Sequence, residues 1–320
     1  MLSVKAGLIA VLLVSFALNG ASACDSQKKG EVKSANQQAK AGAQPNSNQQ
    51  ERVEAKGDLK RLAEGQHSPV SNAFIAVARD AETYGALRKL VSNLPEQSQD
   101  FFKSNLVVAA FLGERRTGGY SVRFSQAGNG ALRVDENMPP KGSMTIQVIT
   151  YPFAVVAVPI SERESLALDV GRTWRSMIRN YQVKDGSFTM SGGIAGRSQT
   201  FGITGGIGVM REGELATFFF NLQSKDASKP REMKDIASGV VQASGQVKIP
   251  YLNAGSFVDM PADALRATGL FAENESKLSL NFESVPGRIA DGFNGRGSLN
   301  AEASMPAPRK NNSSAKDAPQ

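Results

Sequence analysis

The chain has 320 residues, a formal net charge of +7, one cysteine and one histidine. A solitary cysteine excludes an intramolecular disulfide, and with a solitary histidine it excludes a zinc site built from Cys and His. The basic residues are interspersed with 30 acidic ones, and no basic helix or aromatic stacking platform accompanies them. This argues against a nucleic-acid partner, while leaving contact with anionic lipid or an acidic polymer open.

In chain order, Lys5, the apolar run 7–18 and the small residues before Cys24 have the layout of a secretory signal over residues 1–23. The apolar run is too short for a permanent membrane span. The junction Ala21-Ser22-Ala23-Cys24 resembles the bacterial lipobox, with Ala21 where that pattern prefers Leu. It implies a mature chain that starts at Cys24, carries lipid there and is anchored in the cell envelope, at either the inner or the outer membrane. Cleavage by ordinary signal peptidase, leaving Cys24 unmodified, is the alternative. Acylation accounts for the odd exported cysteine, since each buried CH₂ contributes roughly 0.8 kcal/mol and two or more chains make anchoring stable.

Residues 24–68 hold the lipidated N-terminus that the lipobox resemblance implies and, rich in Gln, Lys, Ala, Asn and Ser, have the composition of a disordered tether. Its end-to-end distance would be roughly 35 Å. Residues 304–320 have the character of a disordered tail. The part between reads as mainly β with a few short helices, in two β-sandwich-like or barrel-like domains at 69–160 and 174–303. A helix follows Asp80, with Tyr84, Leu87, Val91 and Leu94 at helical spacing and Pro95 as its stop. Strands follow at 105–112, at Tyr120, Val122 and Phe124, at Met144, Ile146 and Val148, and at 153–158. Pro139-Pro140-Lys141-Gly142 supplies a turn. In the second domain, 214–222 and 277–283 read as strands, 261–268 as a helical turn stopped by Gly269, and Gly295-Arg296-Gly297 as a turn or bulge. Phe218-Phe219-Phe220 reads as a strand buried on both faces in preference to a pocket lining. Trp174 is either an exposed anchor or a residue covering a domain edge.

The most specific motif is Gly113-Glu114-Arg115-Arg116-Thr117-Gly118-Gly119-Tyr120-Ser121. With Pro139-Pro140, Gly142, Gln147, Thr150 and Pro152-Phe153 downstream, it resembles the PrcB C-terminal domain family over about 74–159, with Arg116 where members commonly have Pro. That family occurs in small bacterial exported proteins. It is named after an accessory lipoprotein of a surface subtilisin-like protease complex. The resemblance implies a β domain and an exported protein partner, a protease among the candidates. The residues themselves allow two readings. Gly118 and Gly119 permit a tight turn from which Glu114, Arg115, Arg116 and Thr117 project towards a partner, or the segment is an ordinary solvated connection. Tyr120 begins the alternating apolar face and reads as core.

No constellation for catalysis is legible. Ser/His or Cys/His chemistry needs a placed histidine, and His67 falls in the expected tether. No GxSxG, GxGxxG or Walker pattern occurs. Ser26 with Lys29 and Ser313 with Lys316 fall in expected disorder. Asp259, Asp263, Glu273, Glu275 and Glu283 are the carboxylates open to a paired-acid or calcium role. The sequence therefore points to a membrane-tethered lipoprotein that binds, stabilises or scaffolds an exported partner, with no cofactor and no metal. A cell-wall or small-ligand binding lipoprotein is the alternative, and a carboxylate-based hydrolase ranks third.

Overall fold

The apolar runs at 105–112 and 153–158 form the two central strands of a sheet. β3 (Asn105–Phe111) and β6 (Phe153–Pro159) pair antiparallel, with Leu106 opposite Val158 and Phe111 opposite Phe153. β1 (Lys60–Gly65) and β2 (Phe74–Ala78) flank them, giving the order β1-β6-β3-β2. Both faces of β3 and β6 are buried, which is why they read as unbroken apolar runs. The computed structural model describes residues 59–127, 130–160, 166–192, 197–225, 230–254, 257, 264–285 and 294–304. The expected signal segment, Cys24, the first part of the expected tether, the tail beyond Ser304, and Asp259 and Asp263 lie outside the described residues. The tether boundary at residue 68 is corrected: Lys60–Gly65 is paired strand, because Leu59, Leu62 and Ala63 supply apolar surface that docks on the core.

Helix α1 (Ala81–Leu90) begins where the capping chemistry places it. Asp80 accepts the Thr83 N–H and the Thr83 hydroxyl, each at 2.8 Å, a cap worth about 1 kcal/mol. Tyr84 and Leu87 are buried, and the Tyr84 hydroxyl donates to the Pro95 carbonyl at 2.7 Å. A smaller sheet joins β4 (Ser121–Gln126) antiparallel to β5 (Leu132–Asn137), and β5 parallel to β7 (Leu168–Val170). The short helix α2 (Arg172–Arg175) then buries Trp174 completely, and its indole N–H donates to the Phe111 carbonyl at 2.9 Å. This overturns the exposed-anchor alternative for Trp174.

The rest of the chain is an up-and-down barrel closed by eight antiparallel strands. They are β8 (Arg179–Gly192), β9 (Arg197–Glu212), β10 (Leu215–Ser224), β11 (Glu232–Val241), β12 (Gln246–Asn253), β13 (Ala264–Ala272), β14 (Lys277–Ser284) and β15 (Asn294–Ala303). β15 returns to β8 and closes the cylinder. Its interior is packed with side chains, as a barrel of this strand number allows. Phe188, Phe201 and Phe257 stack at 5.3–5.9 Å between ring centres, and Phe218, Phe220, Phe271 and Phe282 form a second aromatic group. Apolar side chains point in, while Gln182, Lys184, Lys234, Lys248, Arg266 and Glu302 are exposed. That is the reverse of a membrane-spanning barrel, whose outer band is apolar. No helix among the described residues is long and apolar enough to cross a membrane.

Two further readings are corrected. The helical turn expected at 261–268 is strand from Ala264 on, because Leu265, Ala267 and Phe271 are buried on the barrel's inner side, a period-two pattern. Gly295 and Gly297 are not turn residues but lie inside β15. A Cβ at Gly297 would sit 2.6 Å from the Phe188 ring, so the missing side chains make room for that ring.

The sheet meets the barrel along β2. The free edge of β2 faces β10 and β11, where the Thr217 hydroxyl donates to the Ile75 carbonyl at 2.6 Å and the Ser238 hydroxyl accepts the Val77 N–H at 2.7 Å. The two hydroxyls are themselves 2.6 Å apart. Beside them Arg79 pairs with Asp235 at 3.0 Å, both side chains almost wholly buried, and Asp235 also accepts the Asn253 N–H at 2.7 Å. Burial pushes the Asp235 carboxyl above its ordinary range, against the pull of Arg79 and of the Asn253 and Ile236 amides. Phe219, Ile236 and Val240 on the barrel wall pack into the core of the sheet. Phe218 and Phe220 meanwhile face the barrel interior, so the triplet is covered on both sides.

Asp235→Ala is expected to destabilise the protein by roughly 3–5 kcal/mol, the cost of leaving a buried charge unpaired. Thr217→Val should cost about 1–3 kcal/mol by stranding the Ile75 carbonyl. Urea unfolding measures both, and a near-neutral Asp235→Ala would show that Arg79 is solvated in the variant.

Candidate functional site

The connection 113–120 between β3 and β4 is built by its backbone. Gly113 has φ +72°, and a Cβ there would stand 2.6 Å from the Ser71 carbonyl oxygen. Only glycine fits that left-handed bend without strain. The Glu114 N–H then donates to Ser71 O at 3.1 Å, and Arg115 exchanges both backbone hydrogen bonds with Thr150 at 2.8 Å. The Gly118 N–H donates to Ile146 O at 2.9 Å. Gly119 has φ +89°, and a Cβ there would lie 3.1 Å from Pro139. The connection is therefore laced to residues 139–150 on one side and, through the Gln66 amide and the Tyr120 carbonyl at 3.1 Å, to the turn after β1 on the other.

Its charged residues fall into two groups. Glu114 and Arg116 are exposed. Arg115 does not project into solvent, contrary to the sequence expectation. Its Nε donates to Glu136 Oε1 at 2.8 Å, its NH1 donates to the Glu114 carbonyl at 2.8 Å, and its guanidinium lies 5.6 Å from the Tyr120 ring centre. Glu136 also accepts the Thr173 hydroxyl at 2.5 Å, which ties the connection to α2. Burial raises the Glu136 carboxyl, but the hydrogen bonds from Arg115 and Thr173 together with the Arg115 charge outweigh it and hold the group below its ordinary value. Thr117 and Gly118 are half-buried and Gly119 is exposed. Tyr120 is half-buried and packs on the core.

Residues 144–149 are the surprise of this region. Their alternating pattern reads as a strand, yet no ladder forms there. Met144 is fully exposed, Ile146 is 77% exposed, and Val148, Ile149 and the preceding Met138 are exposed as well. Among the described residues, five of the seven exposed large apolar side chains lie between 138 and 149, the others being Met177 and Leu270. Exposed apolar side chains concentrated in this way are a feature of interaction surfaces. The sequence carries the signal in its apolar content, which predicts a strand there in place of an exposed, unpaired segment.

The other candidates are dispersed. His67 is exposed in the turn after β1. Glu273 pairs with Lys277, Glu275 with Arg211 and Arg179, and Glu283 with Arg266. No cluster of three or more His, Cys, Asp or Glu side chains able to hold a metal occurs among the described residues. A shallow depression of about 500 Å³ lies on the barrel's outer wall beside α1, lined by Glu82, Gln246, Lys248, Thr268, Leu270 and Asn281 among others.

The geometry separates the two arginines. Arg115→Ala should lose roughly 1.5–3 kcal/mol, the scale of hydrogen bonds to charged groups, whereas Arg116→Ala should stay within about 0.5 kcal/mol of wild type. Because the folded Glu136 carboxyl is depressed, its stabilisation is present above the ordinary carboxylate range and is lost as pH falls through the lowered value. Melts from neutral to acid pH should therefore show a shallower acid loss for Glu136→Gln than for wild type. Identical slopes would mean that the Arg115 pairing carries no such coupling.

No curated protein matches the chain. The segment that contains the connection, the exposed apolar residues and the two central strands is the part with a recognised likeness: residues 106–159 match the model of the PrcB C-terminal family.

Proposed function

We propose that this protein is a non-catalytic accessory protein that binds an exported protein partner, a protease being the kind of partner the family likeness favours. Docking takes place on the apolar residues 138–149 together with the exposed side of the 113–120 connection. Lipid on Cys24 holds it in the cell envelope. One observation carries the reading: the exposed apolar side chains are concentrated in the family-matched segment, on a backbone pinned to the Gly113–Tyr120 motif. Burying an exposed Ile or Met side chain contributes about 1.5–3 kcal/mol. A few such residues with a polar rim are enough for a specific complex.

The deciding experiment recovers bound proteins with full-length chain from mild detergent extracts, comparing wild type with Ile146→Asp/Val148→Asp and with Arg116→Ala. The double variant should lose its stoichiometric partner by tenfold or more, since ~1.4 kcal/mol is a factor of ten, with an unchanged melting temperature. Unaltered recovery would remove this surface from the interface. Recovery of glycan or a small molecule instead would favour the depression at Lys248, and hydrolytic turnover by the purified chain would overturn the accessory reading. Mass spectrometry of the N-terminal peptide tests the anchor, with diacylated Cys24 as the expected species.

A further inference from the structure

Strand edges are protected almost everywhere else in the two larger sheets. The barrel closes on itself, with β11 and β12 joined at Val240–Lys248 and Val241–Val247 and, further along, by Asp235 accepting the Asn253 N–H. The outer edge of β2 is met by Thr217 and Ser238. At the opposite edge β1 carries exposed Lys60, Arg61 and Glu64, charges of the kind that discourage pairing. Residues 144–149 have none of these protections. Ile146 O accepts the N–H groups of Gly118 and, at 3.0 Å, of Val148, the latter closing a three-residue turn. The amides of Met144, Thr145, Ile146, Gln147 and Ile149 have no acceptor among the described residues, nor have the carbonyls of Met144, Thr145, Gln147 and Val148 a donor. The segment contains no proline, alternates like a strand and exposes its apolar side chains.

We infer that residues 144–149 are one half of an unfinished strand pair, completed when an extended segment of the partner with acidic flanks pairs with their backbone. The inference rests on the partner-binding reading above and specifies the form of the contact. Main-chain hydrogen bonds would supply affinity, and Met144, Ile146 and Val148 would supply side-chain selection. The flexible Met144 thioether suits a surface that must fit another chain. Charge sets the flanks. Arg116 and Lys141 are exposed with no ion-pair partner among the described residues, and the exposed Glu114 offsets only one of them. Arg115 is already neutralised by Glu136. A partner strand with acidic residues at its ends meets this excess.

The test uses the full chain in mild detergent and amide hydrogen exchange read by mass spectrometry. The probe is a synthetic peptide of alternating Val and Thr with Glu at both ends. Its controls are the same peptide N-methylated at alternate amides and the same peptide with Lys in place of Glu. Exchange across 144–149 should slow by about tenfold or more with the Glu-flanked peptide, less with the Lys-flanked one, and not at all with the N-methylated one. Thr145→Pro, which removes one donor on an exposed segment, should abolish the effect while the melt stays unchanged. Binding without slowed exchange, no binding, or equal slowing by the N-methylated peptide would each overturn strand pairing. Slowing by anionic vesicles in place of the peptide would assign the segment to a lipid surface and overturn it as well. Should strand pairing fail while Ile146→Asp/Val148→Asp still loses a native partner, the partner-binding reading stands and only the form of contact is wrong.

Discussion

β2 reaches the barrel with one backbone edge still unpaired, and the structure depends on how that edge is met. A strand edge buried against another layer leaves N–H and C=O groups without water, each costing free energy comparable to a lost hydrogen bond. Here the barrel answers with side chains instead of a ninth strand: Thr217 for the Ile75 carbonyl and Ser238 for the Val77 amide. The Arg79–Asp235 pair seals the end of the same seam. A buried ion pair is weak evidence of net stabilisation, because desolvation offsets most of the Coulombic gain. Its stronger consequence is positional. An Arg79 displaced along the seam would lose Asp235 and remain buried, so the pair fixes the register of the sheet on the barrel wall.

With β2 fixed, β3 and β6 follow by pairing, and the connections at their ends inherit the position. Phe111 is the last residue of β3, and its carbonyl accepts the Trp174 indole N–H. Two residues later Gly113 turns the chain through a conformation that only glycine adopts without strain. Arg115 then reaches Glu136 on β5, and Glu136 reaches Thr173 on α2. The functional candidate is thus supported from below by the sheet and from the side by α2, the segment that leads into the barrel. The 113–120 connection is thereby held in place before a partner arrives, which lowers the entropic cost of binding to it.

The sequence was most legible where burial is complete and least legible where a residue's partner lies far along the chain. β3, β6, β10 and β14 stand out as apolar or alternating runs, and the Asp80 cap marks the start of α1. β1 was hidden because Lys60, Arg61 and Glu64 give it the composition of its tether, and an edge strand needs few apolar residues. In β13, Pro261 and Gly269 bracket an alanine-containing stretch that predicts a helical turn, and only barrel closure makes its period-two burial decisive. Arg115 has the sequence signature of a projecting charge because its acceptor, Glu136, lies 21 residues away on another strand. Of the candidate site, the glycines and the family likeness were visible. The division of labour between Arg115 and Arg116 was not.

Residues 144–150 show a different limit. Periodicity records which conformation a segment favours and which faces it can bury, but it does not record who supplies the other side. The alternation of Met144, Ile146 and Val148 predicts a strand, and none forms: the segment meets the 113–120 connection only at Ile146 and Thr150, and no other strand among the described residues lies beside it. In a protein whose barrel is closed and whose β2 edge is answered by placed hydroxyls, an exposed apolar segment whose backbone groups are mostly unpaired among the described residues stands apart from the rest. Such conflicts concentrate at functional sites, because a surface satisfied within its own chain has nothing left to offer a partner. The mismatch between local preference and observed pairing is what the partner-binding proposal rests on.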